Sequence, residues 1–184
     1  MKYHKTITLK DGRSCVVRNA SERDAQAVLD IFLLTHAQTD YLASYPEEST
    51  LTAEQEREFL KKKEESGREV MLAAEIDGVI AGTAGIGCVR DGVKTAHRAS
   101  FGISVDRAWW GLGIGRALTE ACIECAWTAG YAQLELEAVA DNARALSLYT
   151  SAGFQEYGRN PRGFRTREGG WQELVSMRLE RSGL

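Results

Sequence analysis

The sequence has little of several features that define large classes of proteins. It has only four cysteines and two prolines in 184 residues, and so few cysteines do not make a disulfide-stapled secreted scaffold. No apolar run reaches the roughly 18 residues that a membrane-spanning helix needs, and no apolar stretch follows the N-terminus as in a signal peptide. A net charge of −3 excludes a global positive field for nucleic acid. We therefore expect a reduced, cytoplasmic protein that binds neither membranes nor nucleic acids.

The residues that are present indicate one globular domain. Hydrophobic residues make up 43% and charged residues 27% of the chain, a balance that allows a sizeable core. The sequence contains no repeat, no low-complexity tract and no linker, so we predict a single domain over residues 1–184. Glycine is abundant, with 18 residues, and the positions of these glycines carry the argument below.

The order of apolar runs and turn residues predicts a mixed α/β fold. Helical periodicity and capping residues predict four helices, which begin near Ser21, Thr52, Gly113 and Ala143. Asp77-Gly78 joins two apolar runs, which predicts a β-hairpin. The segment 36–50 loses periodicity and is predicted to be a loop or a broken helix. The remaining apolar runs predict a mostly antiparallel sheet of six to seven strands with flanking helices.

A run of alternating glycines follows one predicted strand and precedes a helix. The strand ends at Val105, and Gly111, Gly113 and Gly115 follow. Glycine lets a backbone approach a ligand closely, and the N–H groups and dipole of a first helical turn attract anions. This loop therefore predicts a phosphate site, with a glycine turn that binds nothing as the alternative. No Gly-Lys dipeptide is present for a Walker loop, and Arg116 stands where a dinucleotide fingerprint needs its third glycine.

A second pattern lies between Asn142 and Phe154, where a short helix carrying Tyr149 follows a strand. Together with the glycine loop, this pattern resembles the GCN5-related N-acetyltransferase (GNAT) superfamily. The resemblance covers most of the chain and is strongest over 99–154. One departure is Trp110, which stands where the family's loop has Gln or Arg. The C-terminal strands look like those of the small-molecule branch, near amino-acid and polyamine acetyltransferases.

The resemblance implies a single-domain GNAT fold in which the fourth and fifth family strands splay apart. Acetyl-CoA is then the donor, with its pyrophosphate on the glycine loop and its thioester in the gap between these strands. Its pantetheine arm is expected to pair like a strand with the segment 101–105. The residues implied to contact acetyl-CoA are Ile103, Ser104, Val105, Trp110, Gly111, Leu112, Gly113, Ile114, Gly115, Arg116, Ala117, Asn142 and Tyr149.

The resemblance also implies direct transfer of the acetyl group to a primary amine. Tyr149 is the implied general acid for the CoA sulfur, because a phenol with a reference pKa of ~10 is protonated at pH 7. The alternative for Tyr149 is a core aromatic on an amphipathic helix. Three candidates for the general base stay open, namely His97, Glu137 and a chain of water molecules.

The expected acceptor is a small-molecule amine such as an amino acid or a polyamine, and a homodimer would fit the family. No metal is expected, because Cys122 and Cys125 lie on the apolar stripe of a helix without a second Cys or His pair to complete a zinc site. Two other functions stay open. One is a protein N-terminal or lysine acetyltransferase, and the other is a catalytically silent module that binds CoA as a sensor.

Overall fold

A computed structural model describes residues 1–183, in which a sheet of eight strands is flanked by four α-helices. The strands are β1 (His4–Thr8), β2 (Ser14–Asn19), β3 (Val70–Ile76), β4 (Val79–Cys88), β5 (Arg98–Val105), β6 (Gln133–Val139), β7 (Gln155–Arg165) and β8 (Trp171–Glu180). The helices are α1 (Ala25–Gln38), α2 (Ala53–Glu65), α3 (Ile114–Thr128) and α4 (Ala143–Ser151).

The strands lie in the order β1-β2-β3-β4-β5-β6-β8-β7. Among residues 1–183 only β5 and β6 pair in parallel, and the other neighbouring strands are antiparallel. The predicted mixed, mostly antiparallel sheet is therefore confirmed, but the predicted count of six to seven strands is too low. The strand missed from the sequence is β1, an edge strand with mostly exposed side chains. Its sequence, His-Lys-Thr-Ile-Thr, offers no apolar run to mark it.

Local sequence features determine where several elements begin and turn. Asp77 and Gly78 have φ angles of 51° and 81°, the left-handed pair that a tight hairpin turn requires. At the start of α2, the Thr52 hydroxyl accepts from the Gln55 N–H at 3.3 Å, and the Thr52 N–H donates to the Gln55 side chain at 2.9 Å. This reciprocal cap satisfies two backbone donors that a helix start leaves free.

The helices cover opposite faces of the sheet. α3 and α4 lie on one face, where Leu118, Cys122, Cys125 and Tyr149 join the larger core. α1 and α2 cover the other face through a smaller cluster, formed by Ala20, Ala25, Val28, Ile31, Leu60, Ala73 and Ile80. On α1, Phe32 is only half-buried and its ring stacks on His36 at 3.8 Å between centroids.

Candidate active site

The sheet opens between β5 and β6. These strands pair only from Arg98–Gln133 to Ser100–Glu135, whereas β5 stays paired with β4 as far as Val105. Beyond Ser100 the outer edge of β5 has no strand beside it among residues 1–183. We call the space between this edge and β6 the gap, and it confirms the splayed pair of strands that the family resemblance implied.

The backbone groups of β5 point into the gap at alternate positions. The Asp106 N–H donates to the Ala81 carbonyl of the β4 segment at 3.0 Å. Because hydrogen-bonding direction alternates along an antiparallel strand, Ser104 also faces β4, whereas Ile103 and Val105 face the gap. The Val105 carbonyl already accepts from the Trp110 indole N–H at 2.7 Å. An extended chain lying in the gap could therefore pair with Ile103 and with the N–H of Val105.

The glycine loop lies at the end of β5 and leads directly into α3. Gly111 and Gly113 have φ angles of 86° and 103°, which favour glycine, and Cβ atoms built on them would meet nothing within 4 Å. Gly115 serves packing instead, because a Cβ there would meet the Leu148 side chain of α4 at 3.3 Å. The first backbone bond of α3 runs from the Ala117 N–H to the Gly113 carbonyl. Within residues 1–183 the backbone N–H groups of Ile114, Gly115 and Arg116 have no backbone partner, so they are available to an anion.

Cations surround the loop, and two of them were missed in the sequence. Lys10, in the turn between β1 and β2, lines the cavity beside the loop, and its backbone N–H donates to the Leu112 carbonyl at 3.1 Å. Arg144, on the first turn of α4, lies 4.8 Å from the centre of the Trp110 ring. Arg116 lines the same cavity. Lys10 could not have been found from local sequence, since its contact spans about a hundred residues.

The gap and the loop share one cavity of about 620 Å³, within the range for small-molecule sites. Its wall includes most of the residues expected to contact acetyl-CoA, namely Ile103, Ser104, Val105, Trp110, Gly111, Gly113, Ile114, Gly115, Arg116 and Asn142. Three expected residues do not line it. Leu112 and Ala117 pack against the core, and Tyr149 lies beneath the β5 edge.

Asn142 has a structural task as well as a place on the cavity wall. It is the N-cap of α4, where its side-chain oxygen accepts from the Ala145 N–H at 3.1 Å. Its backbone carbonyl accepts from the Leu146 N–H. The side-chain NH₂ group is the part of Asn142 left to donate to a ligand.

Tyr149 is buried in an aromatic cluster beside the gap. Its ring meets Phe101 edge-on at 6.0 Å and lies 6.0 Å from Phe154. Phe101 is the first β5 residue beyond the part paired with β6. Burial raises the pKa of Tyr149 to about 12, because the charged phenolate would be poorly solvated there. The phenol therefore stays protonated at neutral pH and is able to donate a hydrogen bond.

The acidic residues of β6 differ in their partners. Glu135 is buried. Its carboxylate accepts two hydrogen bonds from the Arg98 guanidinium, one of them at 2.6 Å, and a third from the Gln133 side-chain amide at 2.9 Å. Glu137 is exposed, accepts from the Ser176 hydroxyl at 3.2 Å and lies beyond the paired part of β6. Of the two, Glu137 is the carboxylate that borders the gap without an ion pair, among residues 1–183.

His97 lies elsewhere. It precedes Arg98, at the end of β5 that remains paired with β6, and its carbonyl accepts from the Ala132 and Gln133 N–H groups. Ile103 is six residues further along the strand, roughly 20 Å away at the usual rise per residue. The structure therefore does not bring His97 together with Glu137 and Tyr149 beside the gap.

Residues 1–183 contain no helix long and apolar enough to span a membrane. Nor do they contain a group of three or more His, Cys, Asp or Glu side chains arranged to hold a metal ion.

Comparisons with known proteins agree with this geometry. The model of the family described as "Acetyltransferase (GNAT) family" matches residues 32–154. The chain is 31% identical over 143 residues to L-amino acid N-acetyltransferase AaaT of Escherichia coli strain K12, covering 76% of this chain and 82% of that protein. It is 46% identical over 56 residues to the ribosomal protein bS18-alanine N-acetyltransferase of the same strain, covering 30% and 38%.

A solved structure extends the likeness to nearly the whole chain. It is described as the acetyltransferase of the GNAT family from Streptococcus pneumoniae, and it superposes with a TM-score of 0.87 at 27% sequence identity. The match covers 91% of this chain and 99% of that one. The strands, the gap and the helices are therefore arranged as in a known fold.

Proposed function

The chain belongs to the GNAT family of acetyltransferases, and from that membership we propose that it transfers an acetyl group from acetyl-CoA directly to the primary amine of a small molecule, such as an amino acid or a polyamine. The observation that carries this proposal is the gap, with a free β5 edge leading away from a glycine loop at the start of a helix. The similarity to an L-amino acid N-acetyltransferase supports an amino acid as the acceptor.

The cavity fits the donor in both charge and shape. The free N–H groups at the start of α3, with Lys10, Arg116 and Arg144 nearby, match the phosphates of acetyl-CoA. The Asn142 NH₂ group and the backbone of Ile103 and Val105 offer hydrogen bonds to the amide-rich pantetheine arm. The donor is thereby fixed at both ends, which leaves the thioester beside Phe101 and Glu137.

The reaction requires a neutral amine, a stabilised oxyanion and a leaving thiolate. Glu137, directly or through water, accepts the proton that the ammonium form of the acceptor must lose, and the neutral nitrogen then attacks the thioester carbonyl carbon. The nitrogen, which is positively charged after the attack, releases a second proton to water as the amide forms. Backbone N–H groups on the β5 edge stabilise the negative oxygen. As the carbon–sulfur bond breaks, the Tyr149 hydroxyl donates a hydrogen bond to the sulfur. No covalent acetyl-enzyme is needed in this scheme, because the acetyl group passes directly to nitrogen.

The test is release of free CoA thiol from acetyl-CoA in the presence of a panel of amines. The panel holds L-amino acids, their amides and polyamines, and the binding of acetyl-CoA is measured in parallel by calorimetry. We expect turnover with at least one small amine. Tight binding of acetyl-CoA without turnover on any amine would instead favour the silent sensor module.

A protein acceptor is the second candidate, and the short but close match to a ribosomal protein bS18-alanine N-acetyltransferase favours it. Incubation of the enzyme with a protein mixture and labelled acetyl-CoA, followed by mass spectrometry of the modified sites, separates the two. Specific labelling of protein N-termini or lysines, with no small-amine turnover, would favour this second function.

A further inference from the structure

A segment of the chain crosses the gap on the face opposite to α3 and α4. This segment, residues 38–47, joins the end of α1 to the region before α2, and we call it the bridge. One end is fixed at the C-terminal end of β5. There the Gln38 side chain donates to the Asp106 carboxylate at 2.7 Å and accepts from the Arg107 N–H at 2.9 Å.

The bridge reaches the other side of the gap within two residues. The Asp40 carbonyl accepts from the Gln172 side chain at 3.1 Å, and Gln172 lies on β8, beyond β6 in the sheet. Because Gln38 is fixed at β5 and Asp40 at β8, residues 38–40 span the open space between the two sides. The bridge therefore lies over the part of the sheet where the strands have separated.

A second attachment holds the bridge to the turn between β7 and β8. The N–H of Arg167, in that turn, donates to the Tyr45 hydroxyl at 3.2 Å. The Arg167 guanidinium stacks on the Tyr45 ring at 3.8 Å and pairs with the Glu47 carboxylate. We call this set of contacts the latch. Between the two attachments, Tyr41 and Leu42 line the same cavity as the glycine loop.

The position of the bridge decides how an acceptor can enter. The phosphate site is at the start of α3, on one face of the sheet, so the donor occupies that face and the gap. An amine must then approach the thioester from the α1 face, which the bridge covers. We propose, on the basis of the function proposed above, that the bridge and its latch act as a size filter, admitting small amines and excluding polypeptide chains.

The latch is suited to opening as well as closing. The Arg167 and Glu47 side chains are 51% and 61% exposed, and an exposed ion pair is weak and screened by salt. The stacking of Arg167 on Tyr45 and the hydrogen bond from the Arg167 backbone orient the two segments relative to each other, but they leave the latch exposed to solvent. A small acceptor can therefore exchange through brief openings, whereas a polypeptide would need the bridge to stay displaced.

The size filter is tested by comparing a small acceptor with a peptide that carries the same amine. The best acceptor of the amine panel is compared as the free amine and as the same amine attached to a decapeptide, and kcat/KM is measured by thiol release. The variant is Arg167→Ala. The matched control is Arg165→Ala, which removes an arginine that stacks on Trp171 at 5.7 Å in the same hairpin.

We expect the wild-type protein and Arg165→Ala to prefer the free amine strongly. Arg167→Ala removes the exposed ion pair and the stacking on Tyr45 but keeps the backbone N–H, and it should reduce that preference by up to about tenfold, the scale of one exposed ion pair and one exposed cation–π contact together, with the KM for acetyl-CoA unchanged. Equal turnover of both sizes by the wild-type protein would overturn the filter. An unchanged preference in Arg167→Ala would overturn the role of the latch.

A second measurement does not depend on turnover. Chymotrypsin cuts after large apolar and aromatic residues, and Tyr41, Leu42 and Tyr45 all lie in the bridge. Cleavage within residues 38–47, located by mass spectrometry, should be faster in Arg167→Ala than in either the wild-type protein or Arg165→Ala. Equal rates in all three would overturn the latch. Failure of the proposed function is recognised separately, by the absence of turnover on any free amine.

Discussion

Replacing Tyr149 with phenylalanine removes one hydroxyl group and leaves the packing around it in place. The ring is 8% exposed and contacts Phe101 and Phe154 at 6.0 Å between centroids, and phenylalanine can keep both contacts. Within residues 1–183 the hydroxyl has no hydrogen-bond partner to lose, and burial is the cause of its raised pKa. The free energy of unfolding should therefore change by less than about 1 kcal/mol.

The effect on the reaction should be much larger. Removing a hydrogen-bond donor from a charge that develops in the transition state typically lowers kcat by about 10²- to 10³-fold. The KM for acetyl-CoA should hardly change, because the hydrogen bond from Tyr149 to the sulfur becomes strong only as the carbon–sulfur bond breaks and negative charge develops. Since the phenol's pKa is about 12, the wild-type rate should not fall through its ionisation at any pH below about 10.

The assay is thiol release at saturating acetyl-CoA with the best amine of the panel, alongside thermal unfolding of each protein. Tyr157→Phe is the matched control, since it removes the hydroxyl of a tyrosine that is 48% exposed on β7 and stacks on Arg178. The control should keep the wild-type kcat. A kcat for Tyr149→Phe within twofold of wild type, in a folded protein, would remove Tyr149 from the mechanism.

Three further predictions concern donor binding, the base and acid stability. Gly113→Ala should weaken acetyl-CoA binding in calorimetry and lower the melting temperature, because φ is 103° there and a side chain costs about 1–3 kcal/mol of strain; unchanged binding would contradict the loop's role. Glu137→Gln should lower kcat/KM at pH 7 by about 10²-fold, whereas an unchanged pH–rate profile would favour the water chain. Arg18 holds the pKa of Asp24 at about 2, so the stability that their pairing provides is present above pH ~4 and lost as pH falls toward 2; in urea titrations Arg18→Gln should flatten this decline, and parallel declines would argue against the pair.

The parts of the site found from the sequence are those encoded by neighbouring residues. Gly111 and Gly113 adopt left-handed backbone in a loop between a strand and a helix, and their spacing was visible in the chain. Asn142 caps α4 through a contact three residues away. Such features depend on a few consecutive residues, so a linear pattern contains nearly all of the information that forms them.

The parts that were missed depend on contacts between distant residues. The sequence offered Glu137 as a candidate base but could not show that Glu135, two residues before it, is held in an ion pair by Arg98 on the neighbouring strand. The segment 36–50 was predicted to be a loop or broken helix, and the structure agrees that α1 ends at Gln38. Its function as a bridge follows from partners at Asp106 and beyond residue 160, which no local pattern contains.

Trp110 shows how a departure from the family pattern can be compensated in the structure. The sequence indicated the loss of one polar side chain from the phosphate cradle. In the structure the indole N–H donates to the Val105 carbonyl, and the ring lies beside two guanidinium groups, from Arg107 at 5.6 Å and Arg144 at 4.8 Å. The tryptophan thus fixes the end of β5 and gathers cations near the loop, an arrangement that keeps positive charge where the phosphates are expected.

The free edge of β5 is best understood as a binding surface that the rest of the fold protects. Unpaired strand edges attract other chains, and proteins usually cover or interrupt them. Here β4 is paired along the length of β5, and β6 is paired with β8 from Gln133 to Val139, so the open edge is confined to the middle of the sheet. The α4 start and the bridge enclose it from opposite faces. An extended ligand must therefore enter the edge from between these two segments, which is why we expect the open part of β5 to take up the pantetheine arm and not to pair with a strand of another protein.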